Sequence, residues 1–447
     1  METGFQRGVN WWKLLRRPGF PYLFAGMFIS LFGTGMNFAG VSWYILERTG
    51  SPLRVSFITI LVTLPGLVVP LAGGVLIDRI ARRYVGMALD LARGALVVAA
   101  ALLVYLGMAR LGHIYAMVFF LGVGFAVYWP TMNALAQEVI PREELVGANS
   151  AVLIAVQGGM MTAGAAVGFV YERAGLSGIL AIDALTYFVA AFCLVRLRRG
   201  YMAPRAHPED EPAGSGEAAL AASVSERALA PDIVEPGLST IFLRDLREGA
   251  RYLRSQPRVL ALGLTYACMM AGVLSGNVLL VTLAQFVLKS GARGFGFMEA
   301  GWAFGAVTGG LLAGALVRRF PPLAVLIAAL AVLAVGHTLF PYARLLVVVV
   351  AMQALFGACR ALGGVLTQTS IMTLVPRRLM GRTQSTFSVV ATLLQVLMSF
   401  SLGFLAERVS VTLAFLVLGV LYGTAVLAAI RARGLSVREA PAAPATA

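Results

Sequence analysis

Charged residues are scarce in this chain of 447 residues. Only 13% of its residues are Asp, Glu, Lys or Arg, whereas 59% are hydrophobic. Soluble domains carry about 25% charged residues, so the composition excludes a soluble globular protein and indicates a membrane protein. The net charge of +15 does not indicate a nucleic-acid partner, because no basic run is interleaved with aromatic residues.

Residues suited to metal or nucleophilic chemistry are also few. The three cysteines, Cys193, Cys268 and Cys359, lie in apolar stretches without the spacing of a zinc or redox site. The sequence has no phosphate-binding glycine loop and no nucleophile motif. We therefore expect neither an enzyme nor an ATP-driven pump, and neither a cofactor nor a metal. His113 and His337 fall near the outer ends of apolar segments, so we expect neither to serve in a central cavity.

Long apolar segments make up most of the chain. A helix that crosses a bilayer needs about 20 apolar residues, and the sequence predicts twelve such helices and an all-α membrane fold. The predicted segments are 21–46, 54–77, 85–109, 114–137, 149–171, 178–196, 258–288, 295–317, 323–341, 345–374, 384–405 and 411–431.

The basic residues predict how these helices are oriented. Of the 36 Lys and Arg residues, 26 fall in the termini and loops on one side of the predicted bundle and 8 on the other. Lys and Arg are enriched in cytoplasmic loops, so both termini are predicted to be cytoplasmic. Arginine is used almost to the exclusion of lysine, which is typical of a GC-rich bacterial gene. We expect a multi-pass protein of a bacterial inner membrane.

Two segments between the apolar halves have a different character. Residues 200–238 are rich in Pro, Ala, Ser and Glu, which predicts a disordered cytoplasmic linker. Residues 239–256 alternate apolar and arginine faces at helical spacing, which predicts an amphipathic helix on the membrane surface or one packed on neighbouring loops. The predicted divisions are a cytoplasmic segment 1–20, a six-helix half 21–199, the linker, the surface helix, a second six-helix half 257–431 and a cytoplasmic tail 432–447.

The two halves echo each other in sequence. Four residues of the stretch 74–83 align with four residues of 310–319 at a constant offset of 236 residues. The stretches 139–150 and 374–385 align at nearly the same offset. Two matches at one offset indicate a duplicated six-helix unit.

The stretch GVLIDRIARR (74–83) carries a family resemblance. It is similar to the cytoplasmic signature between helices 2 and 3 of the major facilitator superfamily, although Ile77 and Ala81 replace a small residue and a glycine. The stretches 128–150 and 374–385 resemble the subgroup of macrolide-efflux and enterobactin-exporter-like proton–drug antiporters. The resemblance implies twelve helices in two pseudo-symmetric halves, and proton-driven export of amphipathic compounds.

A cytoplasmic gate follows from this resemblance. It implies that Asp78 lies beside the start of helix 11, where free N–H groups attract a carboxylate. The alternative is that the charged loop only anchors the chain in the cytoplasm. Asp90 and Arg93 either neutralise each other within helix 3 or belong to the same gate. The predicted gate residues are Gly74, Asp78, Arg79, Arg82, Arg83, Asp90 and Arg93.

Arg360 lies in the middle of predicted helix 10, where a permanent cation is costly unless it is paired or hydrated. We expect it either to bind an anionic group of the substrate or to pair with Asp183 or Glu299. The resemblance implies that helices 1, 4, 7 and 10 line a cavity. The predicted cavity residues, which suit an amphipathic organic compound, are Asn37, Trp129, Asn133, Asn277, Gln353 and Arg360.

Proton coupling requires a carboxyl group within the membrane, and Asp183 and Glu299 are the candidates. Ala165 and Phe169 depart from the proline and glycine that exporters of this family often carry in helix 5. We predict a monomeric secondary active exporter whose partners are a small amphipathic substrate, protons and the lipid bilayer. The alternatives are a lysophospholipid flippase and a membrane sensor, built on the same fold, that transports nothing.

Overall fold

A computed structural model describes residues 16–67, 69, 81–140, 145–197 and 238–435, and these ranges are all α-helical apart from short connections. Gly74, Asp78 and Arg79 lie outside the described residues, as does most of the predicted linker. The helices are α1 Phe20–Thr49, α2 Pro52–Thr63, α3 Arg82–Tyr105, α4 Leu111–Val139, α5 Leu145–Arg196, α6 Leu238–Ser255, α7 Pro257–Thr282, α8 Gly291–Arg319, α9 Pro322–Leu339, α10 Leu346–Leu374, α11 Arg377–Arg408 and α12 Val411–Gly434.

Local residue choice explains where the first two helices meet. α1 ends at Gly50, whose φ of 63° is in the left-handed region that glycine adopts without strain. Ser51 then caps α2 by accepting a hydrogen bond from the backbone N–H of Arg54, and Pro52 occupies the first turn. Two residues therefore suffice to reverse the chain.

Helix α5 reverses direction at Gly175, whose backbone (φ 59°, ψ −163°) is not helical. Its 52 residues would extend about 78 Å as one helix, more than twice the thickness of a bilayer core. The glycines of α1 contact both arms: Gly35 lies against Ala163 of the first arm, and Gly26 lies against Cys193 of the second. The two arms correspond to the predicted segments 149–171 and 178–196.

Ten helices of the described chain are long and apolar enough to cross a membrane. One of these spans is Ile154–Arg196, which contains the reversal in α5. The apolar helix Pro52–Leu67 is shorter than a full span within the described residues. The all-helical membrane fold is thus confirmed.

The described helices pack as two groups. In the first group, α1 and α3 pack against α5, while α4 packs against α2 and α3. In the second, α7 packs against α11 and α12, α8 against α10, and α9 against α10 and α12. We call the end of the bundle where α1 begins and α12 ends the terminal face, and the other end the far face.

The two groups meet mainly through two helix pairs, α5 with α8 and α2 with α11, and α7 also contacts α1 and α2. Glycines let α5 and α8 touch backbone to backbone: a Cβ on Gly164 would lie 2.9 Å from the backbone nitrogen of Ala300. Gly296 of α8 faces the same crossing, whereas Gly310 has no atom within 4 Å of its Cβ position. The two glycines are fourteen residues apart on α8, so their Cβ positions point to the same side of the helix within about 40°. Among the described residues, α5 and α8 therefore touch closely near the far face.

The amphipathic helix α6 lies beside α11. Glu248 forms an ion pair with Arg382 of α11, and Gly249 lies against the backbone of the same residue. Leu253 is buried, while Arg247 and Arg251 are exposed. α6 therefore packs on the bundle through one face and presents arginines on another.

Candidate functional site

A cavity of about 120 Å³ lies mainly within the second group of helices, with Phe38 and Met160 of the first group forming one side. Its wall is largely apolar, with several aromatic side chains and a few polar groups, which is typical of sites for amphipathic ligands. The aromatic residues are Trp302, Phe340, Phe356, Phe415 and Tyr422, and the polar ones are Asn277, Glu299, His337, Gln353 and Arg360.

Arg360 enters this cavity from the middle of α10. Its Nη1 donates a hydrogen bond to the backbone carbonyl of Met269 at 3.0 Å. Its buried Nε has no hydrogen-bond partner among the described residues. Glu299 lines the same cavity, yet it forms no ion pair with Arg360. Arg360 is thus a cation without a carboxylate partner in the described part of the chain.

Close packing of α8 and α10 holds Arg360 in this position. A Cβ on Gly301 would lie 2.8 Å from the carbonyl oxygen of Val350, and Gly309 and Gly357 face the same contact. Such stripes of small residues let membrane helices approach closely. The contact places Trp302 beside α10, so that the indole and the guanidinium line one cavity.

Glu299 is hydrogen-bonded by an amide rather than by a cation. Asn277 Nδ2 donates to its Oε1 at 3.0 Å, and the Asn277 Oδ1 has no hydrogen-bond partner in the described chain. Gln353 is buried in the same wall. Three of the predicted cavity residues, Asn277, Gln353 and Arg360, are therefore brought together with one of the predicted coupling residues.

His337 belongs to this cavity, contrary to the sequence-based expectation. It lies near the end of α9, where its ring stacks on Phe356 at 4.3 Å and on Tyr422 at 5.0 Å. Its Nδ1 lies 2.7 Å from the carbonyl oxygen of Leu333, which can only accept, so Nδ1 carries the hydrogen and donates it. The position in the sequence near a helix end gave no sign that the ring turns inward.

The other predicted coupling residue, Asp183, lies in the first group of helices. It is fully buried on the second arm of α5, and Asn37 Nδ2 donates to its Oδ2 at 2.6 Å. Its Oδ1 has no hydrogen-bond partner among the described residues. Asp183 and Glu299 therefore share one arrangement, a carboxyl group held by an asparagine and not by a cation. Asn37 also lines a smaller cavity of about 50 Å³.

Asp90 and Arg93 form an ion pair inside the first group. Both are buried, and the guanidinium lies 4.2 Å from the ring centroid of Tyr128 and 4.6 Å from that of Tyr187. The carboxylate and the two electron-rich ring faces compensate the buried cation. The described residues that surround this pair come from α1, α4 and α5 of the same group.

The remaining predicted residues lie apart from the two cavities. Trp129 is partly exposed and stacks on Phe125 of the same helix, and Asn133 follows one turn later. Arg82 pairs with Glu138 of α4 at 2.6 Å. Arg83 lies near the carbonyl of Val195, and its guanidinium is 5.2 Å from the ring of Tyr84. These contacts all stay within the first group.

Polar contacts join the two groups at the far face. Glu407, at the end of α11, accepts a hydrogen bond from the hydroxyl of Ser51 and another from the backbone N–H of Leu53 at 3.2 Å. A carboxylate at the N-terminus of α2 complements the free N–H groups there. Nearby, Arg293 of α8 forms an ion pair with Glu172 of α5. Sequence reasoning missed these contacts, which join residues far apart in the chain.

Helices long and apolar enough to cross a membrane, packed in two groups, with buried polar groups lining a cavity, define a multi-pass membrane protein built like a transporter. The chain belongs to the Major Facilitator Superfamily, whose family model matches residues 23–309. The resemblance seen in the sequence is therefore confirmed at the level of the family.

Known proteins of the same type support this assignment. Macrolide efflux protein A of Streptococcus pyogenes is 23% identical over 305 residues, which is 68% of this chain and 67% of that protein. The uncharacterized MFS-type transporter YkuC of Bacillus subtilis is 24% identical over 186 residues, or 40% of this chain and 42% of that protein.

Solved structures show the same fold. A bacterial homologue of the iron transporter ferroportin, in an inward-facing state, has a TM-score of 0.66 at 19% identity and covers 94% of this chain and 100% of its own. The nucleoside transporter NupG has a TM-score of 0.66 at 12% identity, and the match covers 93% of this chain and 99% of that chain.

Proposed function

We propose that this protein is a secondary active transporter that exports amphipathic organic compounds by alternating access, with protons as the coupling ion. The observation that carries the proposal is the cavity lined by aromatic side chains and a few polar groups, which lies mainly in the second helical group and is bounded on one side by Phe38 and Met160 of the first. The similarity to macrolide efflux protein A supports the direction of transport.

The proposed topology has twelve transmembrane helices in two pseudo-symmetric halves. The two arms of α5 count as two spans, and the predicted segment 54–77, of which only part is described, counts as another. The excess of basic residues on one side supports cytoplasmic termini, and the terminal face is then the cytoplasmic side. We propose a monomer in the inner membrane of a bacterium.

Alternating access would use the same helix pair, α2 and α11, at both faces. At the far face, Glu407 of α11 meets the N-terminus of α2. At the terminal face, we assign the reciprocal contact to Asp78, which follows α2 and would meet the N-terminus of α11. The cytoplasmic gate otherwise includes Gly74, Arg79, Arg82 and Arg83, and it would close when the far face opens.

Proton coupling would rest on Asp183 and Glu299. Each is a carboxyl group in the membrane whose described hydrogen-bond donor is a neutral amide. Such a group changes charge when it binds a proton, whereas Asp90 is tied to Arg93 in an ion pair. Asp183 lies in the first helical group and Glu299 in the second. A proton bound to either carboxylate would remove one negative charge from that group alone.

A lysophospholipid flippase is the second candidate function. The exposed arginines of α6, beside the start of α11 at the terminal face, favour this reading. Arginines at the membrane surface can bind the phosphate groups of lipids.

Transport in proteoliposomes tests these functions. The protein is reconstituted, and a panel of dyes, macrolides and lysolipids is followed with and without a pH gradient. Export of dyes or macrolides that depends on the gradient supports the proposal, and movement of lysolipids alone that ignores the gradient favours the flippase. A folded protein that moves no compound contradicts both. Arg408→Ala, an exposed charge change at a residue that does not line the cavity, serves as a control.

A further inference from the structure

The unpaired charge of Arg360 carries an inference about the substrate. A guanidinium has five N–H donors, and the described protein supplies one acceptor, the carbonyl of Met269. The side chain lines the cavity, and its buried Nε has no acceptor among the described residues, so a ligand in the cavity can supply acceptors that the described protein does not. A permanent cation in such surroundings is stabilised by an anion that binds beside it.

The geometry suits an acidic group on an apolar body. The planar fork of arginine matches the two oxygens of a carboxylate or the oxygens of a phosphate. The same cavity is lined by the aromatic side chains of Trp302, Phe356 and Tyr422. A ligand with an acidic end and an apolar body would satisfy both parts of the cavity.

Glu299 lines the same cavity and sets a condition on this ligand. As a carboxylate it would repel an acidic group, while as a neutral carboxyl group it would not. Its described partner, the amide of Asn277, can hydrogen-bond either form. Replacing Glu299 by glutamine copies the neutral form and should therefore strengthen the binding of an acid.

We propose that this cavity binds the acidic group of an amphiphile, a carboxylate or phosphate joined to an apolar body, through the guanidinium of Arg360. The inference rests on the proposed function, since it assigns a substrate class to the same cavity. Such a ligand comes either from the pool of soluble organic acids or from the headgroup of a lysophospholipid.

Binding to compounds matched in shape tests the inference. Radiolabelled 4-phenylbutyrate, 4-phenylbutan-1-ol and 4-phenylbutylammonium share one apolar body and differ in charge, and lysophosphatidate represents the lipid source. Affinities are measured on the full chain in nanodiscs for the wild type and for Arg360→Gln, Arg360→Lys and Glu299→Gln. Arg318→Gln removes an exposed arginine from α8 and is the matched control. Thermal unfolding shows whether each variant is folded.

We expect the wild type to bind at least one of the acids about tenfold more tightly than the alcohol, which is about 1.4 kcal/mol. Arg360→Gln should abolish this preference, Arg360→Lys should retain part of it, and Glu299→Gln should increase it. Preference for lysophosphatidate alone would identify the lipid source.

Two results would overturn the inference. One is equal binding of the acid and the alcohol by the wild type; the other is an acid preference that persists in Arg360→Gln. If Arg360→Gln does not fold, the other two variants test the inference. An affinity for the acid that is unchanged in both Arg360→Lys and Glu299→Gln would contradict the assignment of Arg360. A protein that exports macrolides or dyes without preferring acids refutes this inference and leaves the proposed function standing. One that moves no compound refutes the proposed function.

Discussion

The contact of Glu407 with α2 predicts how the far face opens. This carboxylate accepts hydrogen bonds from Ser51 and from the backbone N–H of Leu53, and it is solvent-exposed. Side-chain caps of helix N-termini are worth about 0.5–2 kcal/mol, and charges at exposed termini about 0.3–1 kcal/mol. Glu407→Ala should therefore cost the closed far face about 1 kcal/mol, which changes the ratio of closed to open molecules about fivefold. Glu407→Gln keeps an acceptor and should have a smaller effect.

Distances between spin labels measure this ratio. Labels at Leu106 and Tyr342, both well exposed at the far face, report the separation of the halves by pulsed electron resonance. The background carries Cys193→Ser, since the other two cysteines are buried. The longer distance should gain population in Glu407→Ala and stay unchanged in Arg408→Ala, which alters the neighbouring charge. Identical distance distributions in Glu407→Ala and the wild type, with the fold intact, would refute the role of this contact.

Three further predictions concern packing and charge. Gly164→Leu should hold α5 and α8 apart, because a Cβ alone would already lie 2.9 Å from the backbone of α8, and the same spin labels should then report a far face that does not close. Arg93→Met should lower the free energy of unfolding by about 3–5 kcal/mol, because it leaves Asp90 buried without its cation. Asp90→Asn should lower it less, because the guanidinium of Arg93 still contacts the rings of two tyrosines. Thermal unfolding of both variants compares the two effects. Asp183→Asn should leave the affinity for the transported compound within about twofold of the wild type but remove the dependence of export on the pH gradient. If the variant keeps this dependence, Asp183 is not a coupling group.

The sequence predicted those features that depend on composition and local spacing. Apolar length predicted the helices, and the gap between 171 and 178 matched the reversal at Gly175. The ion pair of Asp90 with Arg93 was one of two readings, because residues three apart meet on one helix face.

Features that depend on helices packing across the bundle could not be predicted. The partners of Asp183 and Glu299 are asparagines on other helices, Asn37 and Asn277, and no spacing in the chain links them. Arg360 was expected to bind an anion or to pair with a carboxylate, and only the packing of the helices shows that it lines the same cavity as Glu299 without forming an ion pair with it. His337 was misjudged for the same reason.

Substrate-induced proton flux tests whether export is coupled to protons. The protein is reconstituted in vesicles that contain a pH-sensitive dye, and a compound found to be transported is added without an imposed gradient. We expect each molecule of compound that is moved to be accompanied by protons moving in the opposite direction, and Asp183→Asn to abolish the proton signal. Transport of the compound at the wild-type rate without any proton movement would contradict proton-coupled export.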